Sequence, residues 1–434
     1  MENLVKKDDY KISRIMYIIE AMVEYFVALG IGTFYLAKLA KTIGVSPALI
    51  AIIEAFVSLG ATFRIFAILL TNKRPVKIWV TTMHVISQTF FALIWFVPLF
   101  SFSKTVKTIM LIGFMLIAYV LHNLCYPAKT NMYMDCVDFH KRGSFTATKE
   151  MVSLAGGMIF TLCYGNMITY LEDMGKKDLA FVICGVLLLV FMVIHTLTLI
   201  FAKEKTESVE VKNVKFKEAF KQIFTDKKLL LVISVYSFYS IAHYIAYPFY
   251  AEYQISEFGL GFTTGFASLI AAIGSIVRFF ASKPIGRIAD KYSFNKSMTV
   301  CFCFLAAAYG VMVFTVPENG KYMYLIYVVL TSVASAGITS GVLNITYDYV
   351  SAENRTAALA INGAVAGLIG FMTTLAITPL FNYVSSVREQ GGTILGLTVY
   401  PTQLLSLIAF VLTTGLIIYN IFVIGKLKRN DDLL

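Results

Sequence analysis

Charge is scarce in this sequence. Only 15% of its 434 residues are Asp, Glu, Lys or Arg, while 58% are hydrophobic. Soluble domains carry about 25% charged residues. The shortfall excludes a soluble globule and makes the chain an integral membrane protein. Cysteine is also sparse. The six are Cys125, Cys136, Cys163, Cys184, Cys301 and Cys303, all in or beside apolar segments, so no secreted disulfide framework is implied. Cys301-x-Cys303 lacks zinc spacing and has no histidine nearby; it reads as packing, and no metal site is expected. There is no G-x-x-x-x-G-K-[ST], no H-E-x-x-H and no G-x-S-x-G, which removes P-loop ATPases and two large hydrolase classes. An enzyme is not expected. The net charge of +11 suggests nucleic acid only if basic residues gather away from lipid. They follow the loops between apolar runs instead.

Those runs are what the chain has. About 20 mostly apolar residues cross a bilayer as a helix. Twelve candidates occur: 13–36, 46–70, 77–99, 106–133, 143–171, 179–202, 229–253, 263–282, 297–316, 322–347, 356–381 and 402–424. The first contains Glu20 and Glu24 and is no signal-peptide core. Two connections are long: a polar linker at 203–228 and a loop at 382–401. Residues 1–202 and 229–434 thus form two six-span halves. With both termini cytoplasmic, 26 basic residues lie on the inside against 8 outside, Lys129 being assigned to the inside. That bias sets the orientation and predicts a multi-pass protein of the cytoplasmic membrane. The linker segment 214–224 is amphipathic and lysine-rich, a helix resting on the membrane surface.

The halves repeat. Asn131, Asp135 and Arg142 end the fourth span and open the fifth; Asn344, Asp348 and Arg355 stand 213 residues later at equivalent places. An offset of 219 joins Lys77 to Lys296, Tyr17 to Tyr236 and Tyr25 to Tyr244. Between the eighth and ninth spans, Gly286-Arg287-Ile288-Ala289-Asp290-Lys291 resembles the G-x-x-x-D-[RK] loop motif of the major facilitator superfamily. The first-half copy has Ala67 for the glycine and Thr71 for the aspartate, and keeps Lys73, Arg74 and Lys77. The resemblance implies an all-α integral membrane fold, with twelve transmembrane helices in two pseudo-symmetric six-helix halves. It also implies a secondary transporter of a bacterial inner membrane, working by alternating access around spans one, four, seven and ten. Under this resemblance Gly286, Asp290, Asp135, Arg142, Asp348 and Arg355 form a cytoplasmic latch. Gly286 permits close helix approach, and Asp290 meets the dipole of a helix N-terminus.

Ionisable side chains cost about 2.5–3.5 kcal/mol at a helix centre, so each needs a reason. Tyr17, Glu20 and Glu24 share one face of the first span, and Tyr236, Tyr239, His243, Tyr247 and Tyr250 one face of the seventh. Under the 219 offset Glu20 meets Tyr239, and Glu24 meets His243. The fourth span adds His122, Tyr126, Lys129 and Tyr133, the tenth Ser335, Thr339 and Thr346. Glu24, about 16 Å into its span, is the candidate proton-coupling group, with Glu20 and His243. The cavity wall is expected from Tyr17, His122, Tyr126, Tyr236, Tyr239, Tyr247, Ser335 and Thr339. Glu150 and Arg278 lie at matched depths and predict an ion pair between halves, with Lys149 reaching Glu20. His84 and His195 read as structural histidines, Arg64 as a snorkelling cation, and Pro248 as a kink that frees a carbonyl.

The expected function is transport of a small polar organic solute, proton-coupled and inward. Sodium is the alternative ion, and no cofactor is expected. The partners are the solute and membrane lipid, with a monomer as the working unit. Drug or metabolite export on the same fold is the alternative; the fifth span lacks the glycine-proline motif of drug-proton antiporters. A sensor or membrane enzyme is the third reading.

Overall fold

The computed structural model of the protein describes residues 10–71, 75–138, 142–204, 227–349, 355–393, 396 and 398–428. Its helices are α1 (Lys11–Ile31), α2 (Thr33–Ile43), α3 (Pro47–Glu54), α4 (Phe56–Thr62), α5 (Arg64–Thr71), α6 (Lys77–Leu93), α7 (Lys104–Met134), α8 (Arg142–Asp173), α9 (Lys177–Phe201), α10 (Lys227–Tyr244), α11 (Tyr247–Ile255), α12 (Thr264–Lys291), α13 (Phe294–Val313), α14 (Gly320–Tyr349), α15 (Arg355–Glu389) and α16 (Pro401–Phe422). Among the described residues there is no strand. Among the described residues eleven spans are long and apolar enough to cross a membrane, and α1 with α2, bent by 42° about Gly32, makes a twelfth when the pair is counted as one span. An even number of spans returns both ends of the chain to one side, here called the termini face; the other is the loop face.

Three spans depart from continuous helices. The first runs past 36 to Ile43 and bends where Gly32 adopts an extended conformation. The second is three short helices, because the bonds Ser58 N–H to Ala55 O and Phe63 N–H to Gly60 O tighten the turns to three residues (3.0 Å each). Gly60 lies so close to Tyr119 and Asn123 of α7 that a Cβ would strike the Asn123 amide. The seventh breaks at Ala246, just before Pro248. Proline has no N–H for the Tyr244 carbonyl one turn back; Thr374 Oγ1 of α15 supplies that donor at 3.0 Å. The loop expected at 382–401 begins with helix, since α15 continues to Glu389. The linker segment 214–224 lies outside the described residues.

Glycine sets the helix crossings. Hydrophobic burial adds little between helices in lipid, so close packing must supply the association. Gly156 and Gly157 of α8 admit Phe26 and Tyr25 of α1, and Gly165 of α8 admits Ser268 of α12. At the termini face the first-half spans are tied by polar contacts. Glu204 accepts from Val76 N–H and Lys77 N–H (2.9 and 3.0 Å), capping α6. Lys77 Nζ donates to the Ile200 and Ala202 carbonyls, and Lys203 N–H to Ser13 Oγ.

The hydrogen bonds that join the halves gather elsewhere. Tyr35 bonds Ser268 (2.9 Å), Lys38, paired with Glu172 of its own half, donates to Thr264 (2.6 Å), and Gly265 N–H donates to Thr169 (2.8 Å). All lie toward the loop face. Deeper, Ser58 Oγ donates to the Gly367 carbonyl (2.7 Å). Toward the termini face an apolar gap lies between α8 and α12, lined by Leu154, Ala155, Met158, Ser275, Ile276 and Phe279. A larger opening also lies between the halves at the loop face, lined by Lys41, Gly44 and Pro47 of the first half and by Glu252, Tyr253, Arg388 and Tyr400 of the second.

Candidate functional site

The spacing of Glu20 and Glu24, one helical turn apart on α1, leaves room for one cation between them. Lys129 of α7 fills it. Its Nζ lies 2.5 Å from Glu20 Oε1 and 2.6 Å from Glu24 Oε1. Lys129 and Glu20 are each 1% exposed and Glu24 19%, so the cluster has a dry end and a wet end. The Glu20 contact is an ion pair off the hydrogen-bond direction, and Glu20 Oε2 meets no donor. With all three groups ionised, the cluster holds one negative charge in excess. His122 Nδ1 approaches Glu24 Oε1 at 3.6 Å from the wet side. Lys129 belongs to this interior cluster and not to the basic residues of the membrane surface among which the sequence count placed it.

The dry end continues into a histidine pair. His195 Nε2 donates to the Glu20 backbone carbonyl (2.8 Å). With His195 neutral, its Nδ1 then accepts from His84 Nε2–H (2.6 Å), which fixes both tautomers. The two histidines are fully buried and structural in this sense, but they support the site and are not remote from it. Glu20, His84 and His195 offer ligand atoms within 4.8 Å of one another, the donor types of a metal site. The Lys129 ammonium already occupies the cationic role beside Glu20.

His243 is not part of this cluster. It stacks between Tyr239 (5.3 Å) and Tyr247 (4.5 Å), and its Nδ1 bonds the Tyr309 hydroxyl at 2.9 Å. Tyr236 extends the stack against Tyr239 at 6.1 Å. Tyr236, Tyr239, His243 and Tyr247 are all partly accessible although mid-span, so they line an internal space. Opposite them stand first-half residues. Arg64 Nε donates to Asn123 Oδ1 (2.7 Å), and its guanidinium lies 5.1 Å from the Tyr126 ring, which faces Lys129 at 5.7 Å. Arg64 does not snorkel; it is held inward, within electrostatic reach of Tyr236 and Tyr244 in the other half.

Several expected roles change. Tyr17 is 3% exposed and stacks flat on Tyr133 at 4.6 Å, so it is core and not cavity wall. Lys149 sits on that stack, 3.3 Å from the Tyr17 hydroxyl, and makes no ion pair with Glu20. The Glu150–Arg278 pair is not made: Glu150 is exposed, and Arg278 donates to Thr339 Oγ1 at 3.4 Å. Thr339 is exposed on α14 and donates to the Ser335 carbonyl (3.0 Å), while Ser335 is half-buried. Of the latch residues, the side chains of Arg142, Asp348 and Arg355 lie outside the described residues. Asp290 is exposed in the last turn of α12. A Cβ at Gly286 would meet nothing within 4 Å, so no helix presses on it here. Asp135 caps the C-terminal end of α7.

Sequence reasoning missed Arg64 with Asn123, and the central place of Lys129. The signal for Lys129 was present: it is seven residues after His122 and three after Tyr126 on one helical face.

Two offset copies of a polar stripe, each on a half of six spans, point to a duplicated transporter fold. The model of the Major Facilitator Superfamily matches residues 15–374, and matches again over 263–417. The chain belongs to the major facilitator superfamily. Its fold is shared with the nucleoside transporter NupG (13% identity, TM-score 0.67, covering 96% of this chain and 100% of that one). It is likewise similar to the inward-open xylose transporter XylE from E. coli (9% identity, TM-score 0.68, 97% of each chain). An auto-inhibited POT family peptide transporter matches at 10% identity and TM-score 0.68, over 96% of this chain and 98% of that one. No curated protein sequence matches. The superfamily assignment makes this a multi-pass membrane transporter for small molecules.

Proposed function

We propose that the protein is a proton-coupled secondary transporter that carries a small polar organic solute inward by rocking two six-helix halves. The observation that carries this reading is the single Lys129 ammonium held by two carboxylates. One proton on Glu20 or Glu24 balances the cluster. Glu24, at the wet end, exchanges it with the cavity, and Glu20, at the dry end, holds Lys129 in place. The neutral tyrosine and histidine wall of the other half receives the solute. Taking the basic-residue bias as the guide to orientation, the termini face is cytoplasmic. On this reading the latch residues pair when the cytoplasmic side closes and release when it opens. A proton gradient directed inward drives such a symporter toward import.

The test is Glu24→Gln in proteoliposomes. Solute counterflow should persist, while accumulation driven by a pH gradient should be lost. Normal pH-driven accumulation by the variant would refute proton coupling at Glu24. Solute extrusion driven by an inward proton gradient would establish the exporter reading.

A further inference from the structure

Arg64 is a cation without a counterion. Among the described residues no carboxylate lies within ion-pair distance of it, and its only hydrogen bond is Nε to Asn123 Oδ1. Its two Nη groups make no bond, are not buried, and belong to a partly accessible side chain. Lys129, by contrast, is saturated by two carboxylates. Glu54, ten residues earlier on the same span, is about 15 Å away along the helix at 1.5 Å per residue. Asn123 is itself fixed, since its Nδ2 donates to the Tyr119 carbonyl (2.8 Å). The Tyr126 ring faces the guanidinium at 5.1 Å. Two contacts thus orient Arg64 and leave its Nη edge toward the space faced by Tyr236 and Tyr244. A guanidinium edge matches a carboxylate or phosphate with two parallel hydrogen bonds.

We propose that Arg64 anchors a carboxylate or phosphate of the transported solute, which makes the substrate a small organic anion. The anion takes the place that Glu20 and Glu24 take for Lys129, and the tyrosine wall receives the remainder of the molecule. This inference rests on the transport reading and names its substrate class.

The test is a thermal-shift screen of the full-length purified protein. The library is divided into carboxylates, phosphates, and neutral or cationic metabolites. The stabilising compounds should be anions, and the arm in which they fall identifies the anchoring group. Arg64→Gln should weaken the best compound by about 10- to 150-fold, the range for a hydrogen bond to a charged group. Arg64→Lys keeps the charge and loses the fork; it should bind between wild type and Arg64→Gln, which guards against a folding artefact. A library with no stabilising anion overturns the proposal, as does an anion bound equally well by Arg64→Gln. Proteoliposome counterflow with the same compound separates the two readings. An anion that binds through Arg64 but is never exchanged defeats transport and leaves the anchor. An exchanged solute that is neutral does the reverse.

Discussion

The two halves place different chemistry on equivalent helices. On the first-half side, α1 and α7 carry Glu20, Glu24 and Lys129, an ion cluster with a dry and a wet end and one charge in excess. At the positions related by 219 residues, α10 carries Tyr239 and His243, neutral groups stacked with Tyr247 and tied to Tyr309. Duplication alone makes both halves competent for the same task. Divergence has left one half to hold charge and the other to present aromatic surface. The physical consequence is asymmetry in what each half tolerates. An ion cluster fails if one member is removed, whereas a stack loses contacts one at a time.

That contrast is broken most severely at Lys129. Lys129→Met leaves the buried Glu20 and the half-buried Glu24 facing each other without a cation. The loss should be about 3–5 kcal/mol, the usual result of deleting one partner of a buried pair. Thermal unfolding in detergent measures it, and a triple change with Glu20→Gln and Glu24→Gln should recover most of the stability. If Lys129→Met unfolds as wild type does, the cluster is not the charged centre of its half.

The zipper between halves ranks next. A side chain at Gly165 collides with Ser268, and overpacking of this kind costs about 1–3 kcal/mol. Gly165→Val should therefore disfavour the loop-face-closed state, and cysteine labelling from the termini face should fall. Unchanged labelling would assign the closure to the Lys38–Glu172–Thr264 contacts instead.

The smallest effect is expected in the aromatic half. Tyr309→Phe removes the hydroxyl bonded to His243 Nδ1, a loss of about 0.5–1.5 kcal/mol. Solute KM should rise by about 2- to 13-fold, with pH-driven accumulation retained. Loss of coupling in this variant would show that both halves handle the proton and would dissolve the contrast.

Much of this was legible before any tertiary structure. Span positions, the polar faces and the duplication depend on hydropathy and on 3.6-residue periodicity, which are local properties of the chain. Pro248 announced the break in the seventh span for the same reason: it lacks a donor wherever it stands. The donor that answers it, Thr374, is 130 residues from Tyr244, and no local pattern selects it.

The sequence by itself therefore determined a twelve-span membrane fold, its two related halves and the list of polar residues that had to face inward. Which of those residues meet was decided only by tertiary structure. Lys129 joins Glu24 across 105 residues of chain, Arg64 finds Asn123, and Glu150 misses Arg278. Helix periodicity fixes the face on which a side chain stands. The crossing angle and separation of two helices, set here by glycines such as Gly60 and Gly165, fix whether it reaches a partner. A shift of one helical turn, 5.4 Å along an axis, is enough to make or lose an ion pair.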